Sequence, residues 1–443
     1  MMKVRMNSKR GKLVLVFELE EDDRPMPSEK FSMDCNVVTT ILPENLDPDT
    51  IHPDLLGLCC IMMVEPFIGH TIELPKPVSK DFFEGHSMVT SRYKISNIDE
   101  KLRPWKPPTD SNTGLAFSGG VDSTAALSIL PPETVSVFLD RPLKKGKSLY
   151  NKDAVKQSCI EVKKLGYDVH VIECDLEYVR KPVGFPVDVA NSVPAILLAD
   201  FLKLDCIAFG TIMASSYRIG HPLYRDYPNS SHYRHWGGMF AAAGLPLNYP
   251  VMGISEIGTS IICNDSPIGH IAQSCMRGTW KKPCLNCWKC FRKQILDSAI
   301  KSEVMSNETL DSIFNNTEAL RFVSDIPIKH ENVLTWATNR LQIDHKLFQL
   351  LKLRVKGDSK SHDWLNKWYS KSLILIPEKY QGHVKEKISQ FLGTMSESDE
   401  KMVTSWSLQE LIESDLTKEH SDRLIEEMNR HINTFRKPIS PSD

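Results

Sequence analysis

The sequence lacks the long apolar run that a membrane-spanning helix needs. Such a helix takes about 20 apolar residues, and the best candidate, Ile196 to Met213, is interrupted by Asp200, Lys203 and Asp205. The start of the chain is basic, but the apolar run that follows it, Leu13 to Phe17, is too short for a secretory signal. Both absences predict a cytoplasmic protein that has no membrane partner.

Charge of one sign and internal repeats are also lacking. The 54 Lys and Arg residues nearly balance the 56 Asp and Glu residues, and the formal net charge is −2. This balance gives no general attraction to nucleic acid, so we do not expect a nucleic acid partner, although a local basic patch stays compatible with one. A chain of 443 residues without repeats is too long for one hydrophobic core, so we expect two or three domains.

What the chain does contain divides it into three predicted regions. Residues 1–113 form an N-terminal α+β region that ends in a proline-rich linker, residues 114–300 alternate strand and helix patterns, and residues 301–443 have helical periodicity. Repeated strand–helix units predict an α/β fold, in which a parallel sheet carries helices on both faces. The C-terminal region has no catalytic motif, so we expect it to pack on the core or on a partner.

Three local patterns give narrower predictions. The apolar segment Val189 to Leu202 predicts a helix before the fourth strand of the middle region. The segment Ser407-Leu408-Gln409-Glu410 has the capping-box pattern and predicts the start of a C-terminal helix. The apolar segment Asp54 to Val64 is compatible with a buried helix or a buried strand, because periodicity does not decide between them.

The segment Ser118-Gly119-Gly120-Val121-Asp122-Ser123 has the properties of a phosphate-binding loop. It follows a short apolar strand and opens a helix, where backbone N–H groups and the helix N-terminus favour an anion. Both glycines can adopt positive φ, and the hydroxyls of the two serines and of Thr124 add donors. Asp122 would repel a phosphate unless a cation intervenes, so it indicates Mg²⁺ or a helix-capping role. A tight turn that merely caps a helix is the alternative.

The loop is neither a Walker A loop nor a dinucleotide fingerprint, because the required spacings are absent. It resembles the SGGxDS signature of the PP-loop ATP-pyrophosphatases. The resemblance implies that ATP is cleaved between its α and β phosphates and that a carbonyl or carboxylate oxygen is adenylated. A nitrogen or sulfur nucleophile then displaces AMP.

The same resemblance implies further nucleotide contacts after the second and fourth strands. Asp140 and Arg141 stand after the second strand, and Gly210-Thr211 ends the fourth. Asp140 paired to Arg141 in a turn, or Thr211 as an ordinary strand-end hydroxyl, are the alternatives. We predict Ser118, Asp122 and Ser123 as catalytic residues. The predicted ATP-binding residues are Phe117, Ser118, Gly119, Gly120, Val121, Asp122, Ser123, Thr124, Asp140, Arg141, Gly210 and Thr211.

Four of the 11 cysteines are concentrated in one short segment. Cys275, Cys284, Cys287 and Cys290 have the spacing C-x8-C-x2-C-x2-C, and four thiolates from two close turns suit a structural, tetrahedral Zn²⁺. An iron–sulfur cluster is the alternative, because four cysteines also ligate it. Nearby basic side chains would offset the thiolate charge; they are Arg277, Lys281, Lys282, Lys289 and Arg292.

The cysteine-rich tail, Ser274 to Lys293, resembles the zinc knuckle of the QueC family, the 7-cyano-7-deazaguanine synthases. The match covers roughly residues 114–300 and implies adenylation of a 7-deazaguanine carboxylate followed by attack of ammonia. Two features depart from the family: Ser255-Glu256 stands where the family has Thr-Lys, and the family lacks the first 113 residues and the helical tail. Extended relatives in anti-phage islands resemble this layout, and some couple the activated acid to the N-terminus of a partner protein.

The sequence therefore predicts a QueC-like ligase that uses ATP, Mg²⁺ and Zn²⁺ and acts on a deazaguanine-like acid. The N- or C-terminal region would bind a protein partner, and a dimer is compatible with this layout. A tRNA-thiolating PP-loop enzyme and a non-catalytic nucleotide-binding subunit of a defence complex are the alternatives.

A polar, aromatic stretch between Tyr217 and Trp236 could stack on a planar base, or it could be an ordinary lid surface. Glu256 could accept hydrogen bonds from a guanine-like edge or pair with an arginine. The predicted substrate-binding residues are Arg218, His235, Ser255 and Glu256.

Overall fold

The computed structural model describes residues 1–20, 32–143 and 150–435. The first region of the chain folds as a mixed sheet with two helices. Its sheet has five strands, with antiparallel pairing at one edge and parallel pairing at the other. The elements are β1 (Met2–Lys9), β2 (Lys12–Leu19), β3 (Ser32–Met33), β4 (Val37–Ile41), α1 (Pro53–Val64), β5 (Thr71–Glu73), β6 (Val78–Ser79), α2 (Lys80–Val89), β7 (Lys94–Ile95) and β8 (Ile98–Asp99).

The segment Asp54 to Val64, which the sequence left as either a buried helix or a buried strand, forms helix α1. Pro53 occupies its first turn, where a missing N–H costs nothing, and the His52 side chain accepts a hydrogen bond from the N–H of Asp54. Every residue from Asp54 to Val64 is buried. A helix enclosed on all sides has no polar stripe, so its sequence carries no helical period.

The middle region contains a five-stranded parallel sheet in the order β11-β10-β9-β13-β14. A short strand, β12, pairs with β3 of the first region. The elements are β9 (Asn112–Phe117), α3 (Val121–Ile129), β10 (Val135–Asp140), α4 (Lys152–Lys164), β11 (Asp168–Glu173), β12 (Arg180–Lys181), α5 (Val193–Leu197), β13 (Leu204–Ala208), α6 (Met213–Ser216), α7 (Ser231–Ala242), β14 (Leu247–Asn248), α8 (Glu256–Asp265) and α9 (Trp288–Lys301).

Helices cover both faces of this sheet, as the alternating pattern predicted. On β9, Leu115 and Phe117 pack into one apolar cluster with α3, α4 and α8, whereas Ala116 packs into another with α5 and α1. Successive strand residues point to opposite faces of a sheet, so β9 contributes side chains to the apolar clusters on both faces. The α/β character of the prediction is confirmed, and the N-terminal region supplies part of the second cover.

The prediction of a long helix from Val189 to Leu202 is wrong. A 3-10 turn precedes α5, which spans only Val193–Leu197, and turns follow it up to Lys203, whose φ is +52°. Pro194 sits in the first turn of α5, where its ring is tolerated. The segment is apolar because it is enclosed between the sheet and α1, and that burial does not require a continuous helix.

The C-terminal region is helical, as predicted. Its helices are α10 (Asn307–Phe314), α11 (Thr317–Val323), α12 (Glu331–Arg340), α13 (Lys346–Arg354), α14 (Glu378–Ser389), α15 (Glu397–Thr404), α16 (Gln409–Glu413) and α17 (Asp415–Phe435). No helix within the described ranges is long and apolar enough to cross a membrane.

The predicted capping box at Ser407 is wrong. Helix α16 is capped by Leu408, whose side chain makes no capping bond, and the hydroxyl of Ser407 only accepts from the N–H of Gln409. Ser407 is instead held in an isolated bridge with Leu223. A reciprocal capping box does occur one helix earlier, between Ser396 and Asp399 at the start of α15.

Candidate functional site

The central sheet reverses its winding between β9 and β13. From β9 the chain moves to β10 and β11 on one side, and it returns to β13 and β14 on the other. In open parallel sheets, a ligand crevice forms at the carboxyl ends of the strands at such a point. A cavity of about 460 Å³ lies there, between the residues that follow β9 and those that follow β13. We call it the loop cavity.

The segment 118–123 forms the tight turn that joins β9 to α3. Gly119 has a φ of +69°, whereas Gly120 is the N-cap of α3 with a φ of −83°. Only one of the two glycines therefore needs the left-handed region. Because no side chain caps α3, the N–H groups of its first turn, at Val121 and Asp122, stay available to an anion in the loop cavity.

The hydroxyl of Ser123 holds this turn closed. It accepts a hydrogen bond from the N–H of Ser118 at 3.2 Å, donates to the carbonyl oxygen of Gly120 at 3.1 Å and lies 2.9 Å from the Ser118 hydroxyl. Thr124 is fully buried, and its side chain is not among those that line the loop cavity. The structure therefore brings the two serine hydroxyls to the cavity and leaves that of Thr124 in the interior.

Gly210 lets the end of β13 approach this turn. A Cβ at this position would lie 2.7 Å from the backbone nitrogen of Ser123 and 2.8 Å from its Cα, which is closer than real Cβ atoms approach. A glycine is thus required for the contact between the strand end and α3. Gly210 and Thr211 both line the loop cavity.

Asp122 lies in the first turn of α3 and links it to α8. Its Oδ1 accepts a hydrogen bond of 2.7 Å from the Thr259 hydroxyl, and burial raises the pKa of its carboxyl. The side chain also lines the loop cavity. Asp122 is therefore placed to hold a cation at the cavity while it fixes the packing of α3 on α8.

Helix α9 directs basic side chains into the loop cavity. Lys289, Arg292 and Lys293 are spaced i, i+3 and i+4, so they share one face of the helix. Burial lowers the pKa of Lys289, and no carboxylate of a described residue lies within ion-pair distance of its ammonium group. Lys289 and Arg292 therefore line the loop cavity, and Lys289 also lines a cavity beside Cys275 and Cys290.

Glu256, at the start of α8, is the buried anion beneath these cations. Its Oε1 lies 2.8 Å from Arg292 Nη2 and 3.4 Å from Lys293 Nζ, and its Oε2 lies 3.7 Å from His330 Nδ1. Burial alone would raise the pKa of Glu256, but Arg292, Lys293 and His330 together hold it well below its ordinary value. Of the two roles open to Glu256, the structure shows the pair with an arginine.

The C-terminal region also reaches the loop cavity. Lys329 and His330, which precede α12, line it, and His330 has a φ of +62°. Burial lowers the pKa of His330 to about 4, with a further contribution from Arg292, so its ring is neutral at neutral pH. No sequence motif surrounds either residue, so neither was predicted as part of the site.

The four clustered cysteines come together at the start of α9. Their ligand atoms all lie within 4.8 Å of one another, and the Sγ atoms of Cys284 and Cys290 are 3.8 Å apart. Tetrahedral zinc with bonds of about 2.3 Å fits such separations. Backbone N–H groups of Gly278 and Cys284 point at Cys275 Sγ, as the outer contacts of a metal site do. Cys287 is the N-cap of α9, so the cluster fixes the helix that carries the cations.

A second cavity, of about 210 Å³, adjoins the first between the ends of β9 and β10. We call it the Arg141 cavity. The Arg141 guanidinium lies 3.9 Å from the ring centroid of Tyr150 and 3.2 Å from Glu177. Asp140 is turned away, because its Oδ2 is 2.5 Å from Lys156 Nζ of α4, and it does not pair with Arg141. Phe117 lines this cavity, and Ser118, Gly120 and Lys289 line both cavities.

Three predicted substrate-binding residues do not reach these cavities. Arg218 is exposed, with a φ of +62°. His235 lies 2.6 Å from Glu65 and ties α7 to the N-terminal region. Ser255 caps α8 by accepting from the N–H groups of Ile257 and Gly258. Proximity in sequence to the site is not enough for these three, because Arg218 is exposed to solvent, His235 is held by the N-terminal region and Ser255 caps its own helix.

A third cavity, of about 350 Å³, adjoins the loop cavity beyond the end of β13. We call it the Arg225 cavity. It uses part of the polar, aromatic stretch, with Arg225, Tyr227 and His232 in its wall, together with Tyr249. The stretch singled out in the sequence includes Arg225 and His232, although the substrate-binding residues predicted from it were Arg218 and His235.

A protein family of unknown function, DUF6395, matches residues 235–407. Neither the curated proteins nor the solved structures include a match to the chain. The matched segment holds the four cysteines, the cations of α9 and the pair Lys329-His330, whereas the turn at 118–123 lies before it.

Proposed function

We propose that the protein is a QueC-like, ATP-dependent ligase that adenylates a carboxylate, releases pyrophosphate and then forms a C–N bond with ammonia or an amine. The loop cavity carries this proposal. An uncapped helix N-terminus at the winding reversal of a parallel sheet faces four side-chain cations, Lys289, Arg292, Lys293 and Lys329. Backbone N–H groups and cations that converge on one cavity favour a polyphosphate.

The neighbouring Arg141 cavity suggests how a nucleotide would be oriented, with its base in the Arg141 cavity and its phosphates in the loop cavity. Its walls include Phe117, Phe138, Val155 and Phe185, which suit an adenine ring, and Arg141 can stack or hydrogen-bond there. Ser118, Gly120 and Lys289 line both cavities. An ATP molecule with its base in the Arg141 cavity therefore passes over the turn and carries its β and γ phosphates toward the cations.

This arrangement favours cleavage between the α and β phosphates. One oxygen of the substrate carboxylate attacks the α phosphorus, the bond from that phosphorus to the bridging oxygen breaks, and its electron pair leaves with pyrophosphate. Lys289 and Lys329 stand where they stabilise the charge that develops on the leaving group. Mg²⁺ bound to the phosphates would supply further neutralisation, and Asp122 is the carboxylate placed to hold it.

The second half-reaction needs only a nucleophile at the acyl adenylate. An amine nitrogen attacks the carbonyl carbon, the bond to the AMP oxygen breaks, and the nitrogen loses a proton. The resemblance to the QueC family suggests a 7-deazaguanine-type acid as the substrate. Ammonia or the N-terminus of a partner protein, docked on the N- or C-terminal region, would supply the nitrogen. The four-cysteine cluster serves as a structural zinc site in this proposal.

The sulfur-transfer alternative is less well supported because it needs a reactive cysteine at the site. Burial raises the pKa of six thiols outside the cluster, and none of these lines the loop cavity; they are Cys59, Cys60, Cys159, Cys174, Cys206 and Cys263. Raised thiol pKa values oppose the thiolate that persulfide chemistry requires. The remaining alternative, a nucleotide-binding subunit without catalysis, predicts ATP binding without turnover.

The test that does not depend on the nucleophile is exchange of labelled pyrophosphate into ATP. With Mg²⁺ and 7-carboxy-7-deazaguanine, the proposal expects exchange, and it expects AMP and pyrophosphate when an amine is added. Ser123→Ala should reduce exchange by about 100-fold or more, because loss of one positioned polar group at a reaction centre has effects of this size. Ser128→Ala is the matched control, since Ser128 lies in the same helix, bonds to Thr124 and Ser266, and lines none of the three cavities.

Cleavage of ATP to ADP and phosphate would contradict the proposal. So would the absence of exchange with every deazaguanine acid, tried with and without a verified partner protein. Equal losses in the Ser123 and Ser128 variants would show that the turn acts only in folding.

A further inference from the structure

The Arg225 cavity opens into the loop cavity, and the two share part of their lining. Asp188, Phe209, Gly210, Thr211 and Ser215 belong to both. A molecule in the Arg225 cavity would therefore meet a nucleotide phosphate at the end of β13.

Arg225 is a fixed cation that makes no ion pair with a described residue, although the charge of Asp188, in the wall of the same cavity, acts on it. Its Nε donates a 2.7 Å hydrogen bond to the carbonyl oxygen of Ser216, and its Nη2 donates one of 2.6 Å to that of Ser215. Across the residues that the structure describes, no carboxylate lies within 4 Å of the guanidinium. A guanidinium has five N–H donors, so two anchored donors hold the group still and leave others for an anion.

The wall of the Arg225 cavity also contains the rings of Phe209, Tyr227 and Tyr249, and one chain of contacts joins two of these rings to His232 and the Asp188 carboxylate. His232 Nε2 lies 2.9 Å from Asp188, His232 Nδ1 lies 3.1 Å from the Tyr227 hydroxyl, and that hydroxyl donates to the Tyr249 hydroxyl at 3.3 Å. The Tyr249 ring lies 5.7 Å from Phe209 and 5.9 Å from Tyr227, measured between ring centroids. Flat rings fixed beside an unpaired guanidinium suit a planar, anionic ligand.

We propose that the Arg225 cavity is the acceptor subsite and binds a planar aromatic acid, with Arg225 holding the carboxylate at the opening to the loop cavity. One carboxylate oxygen stays on the guanidinium while the other is free to attack the α phosphorus. The order of events rests on the proposed adenylation, but the binding of the acid does not. Arg225 is thus a specificity residue that selects an acid over its neutral analogues.

The test compares two ligands against matched variants by isothermal calorimetry. The probes are 7-carboxy-7-deazaguanine and the corresponding carboxamide, which has the same ring but no charge. The wild type should prefer the acid by about 10- to 100-fold, the usual range for a hydrogen bond to a charged group. Arg225→Gln should lose this preference, and Arg225→Lys should retain part of it because the charge remains without the planar fork.

Arg234→Gln is the control, because Arg234 is an exposed arginine of α7 that bonds to the Asn229 carbonyl and lines none of the three cavities. It should behave as the wild type. If Arg225→Gln fails to fold, as judged by thermal melting, Tyr227→Phe replaces it as the test. That variant keeps the ring and removes only the hydroxyl, so it should weaken both ligands equally and preserve the preference for the acid.

Failure of this inference and failure of the proposed function give different results. No binding of the acid, or an acid preference that survives in Arg225→Gln, overturns the subsite whatever the nucleotide does. Binding of the α,β-methylene analogue of ATP is measured separately in each variant. If the acid binds in an Arg225-dependent manner but the ATP analogue does not bind, the subsite stands and the proposed adenylation falls.

Discussion

Arg292 of α9 donates a hydrogen bond of 2.8 Å to Glu256 of α8, and both side chains are buried beneath the loop cavity. Lys293 adds a second cation to the same carboxylate oxygen at 3.4 Å. Glu256 was predicted from the sequence to lie beside the site, at a position where the QueC family that the chain resembles has a lysine. The structure gives the glutamate a reason: without it, two buried cations at consecutive positions of α9, Arg292 and Lys293, would lie together uncompensated.

Glu256→Gln should therefore destabilise the fold. Removal of one member of a buried ion pair leaves the other charge unpaired and costs about 3 kcal/mol or more. The pKa of Glu256 is held below its ordinary value, so its contribution is present above the pKa of an unfolded glutamate and is lost as the pH falls through the folded pKa. Urea unfolding at neutral pH measures the loss. Glu18→Gln, in the exposed pair with Arg5, should stay close to the wild type.

Gly210→Ala should displace the turn from the end of β13. The added methyl would lie 2.7 Å from the Ser123 nitrogen, and backbone on both sides cannot yield as a flexible side chain would. We expect binding of an ATP analogue to weaken by about 10-fold or more, since a shift of about 1 Å in a positioned site has large effects. Calorimetry of the α,β-methylene analogue measures this.

The control for this substitution is Gly382→Ala in α14. Nothing lies within 4 Å of a Cβ at that position. Alanine is the better helix former, so the variant should be more stable by about 0.5–1 kcal/mol and should bind nucleotide as the wild type does. Weakened binding in both variants would contradict the steric explanation for Gly210.

The purified protein should be colourless and contain one zinc per chain, as elemental analysis would measure. Cys290→Ser should lose the metal and loosen the start of α9, because Cys287 caps the helix within the same cluster. Cys35→Ser should keep the zinc, since Cys35 lies outside the cluster and donates a hydrogen bond to the Val37 carbonyl. A visible absorption band with iron would favour the iron–sulfur alternative instead.

Stability should depend on pH through His235 and Glu65. Burial would lower the pKa of His235, but the hydrogen bond and charge of Glu65 at 2.6 Å raise it above its ordinary value. The neighbouring His86 is neutral, because burial lowers its pKa to about 4. A raised folded pKa gives a stabilisation that is complete below the unfolded value of about 6.5 and is lost as the pH rises through the folded pKa.

His235→Gln should remove the loss of stability that accompanies a rise in pH. Thermal unfolding of the wild type between pH 6 and pH 9 should show a decline that the variant lacks, and the two should differ most at pH 6. His232→Gln is a useful comparison, because His232 pairs with the exposed Asp188 rather than with a half-buried carboxylate. An identical pH profile in wild type and His235→Gln would contradict the assignment.

The local sequence was sufficient to predict the parts of the fold whose sequence patterns lie within one short segment of the chain. The strand β9, the turn at Ser118–Ser123 and the start of α3 form one continuous segment, and the four cysteines carry their spacing in the chain. What local sequence could not supply is the meeting of distant segments. Lys329 reaches the loop cavity through packing between regions, and His235 pairs with Glu65, about 170 residues earlier in the chain, instead of reaching a cavity.

The loop cavity is assembled from parts that emerge from the ribosome at widely separated times. The turn at Ser118–Ser123 is made early, the cations of α9 come later, and Lys329 and His330 later still. A nascent chain that has reached only β13 therefore has the helix N-terminus but none of the positive charges. Under the proposed function, nucleotide affinity should arise late in synthesis, and the onset of ATP binding would report that the C-terminal helices have docked.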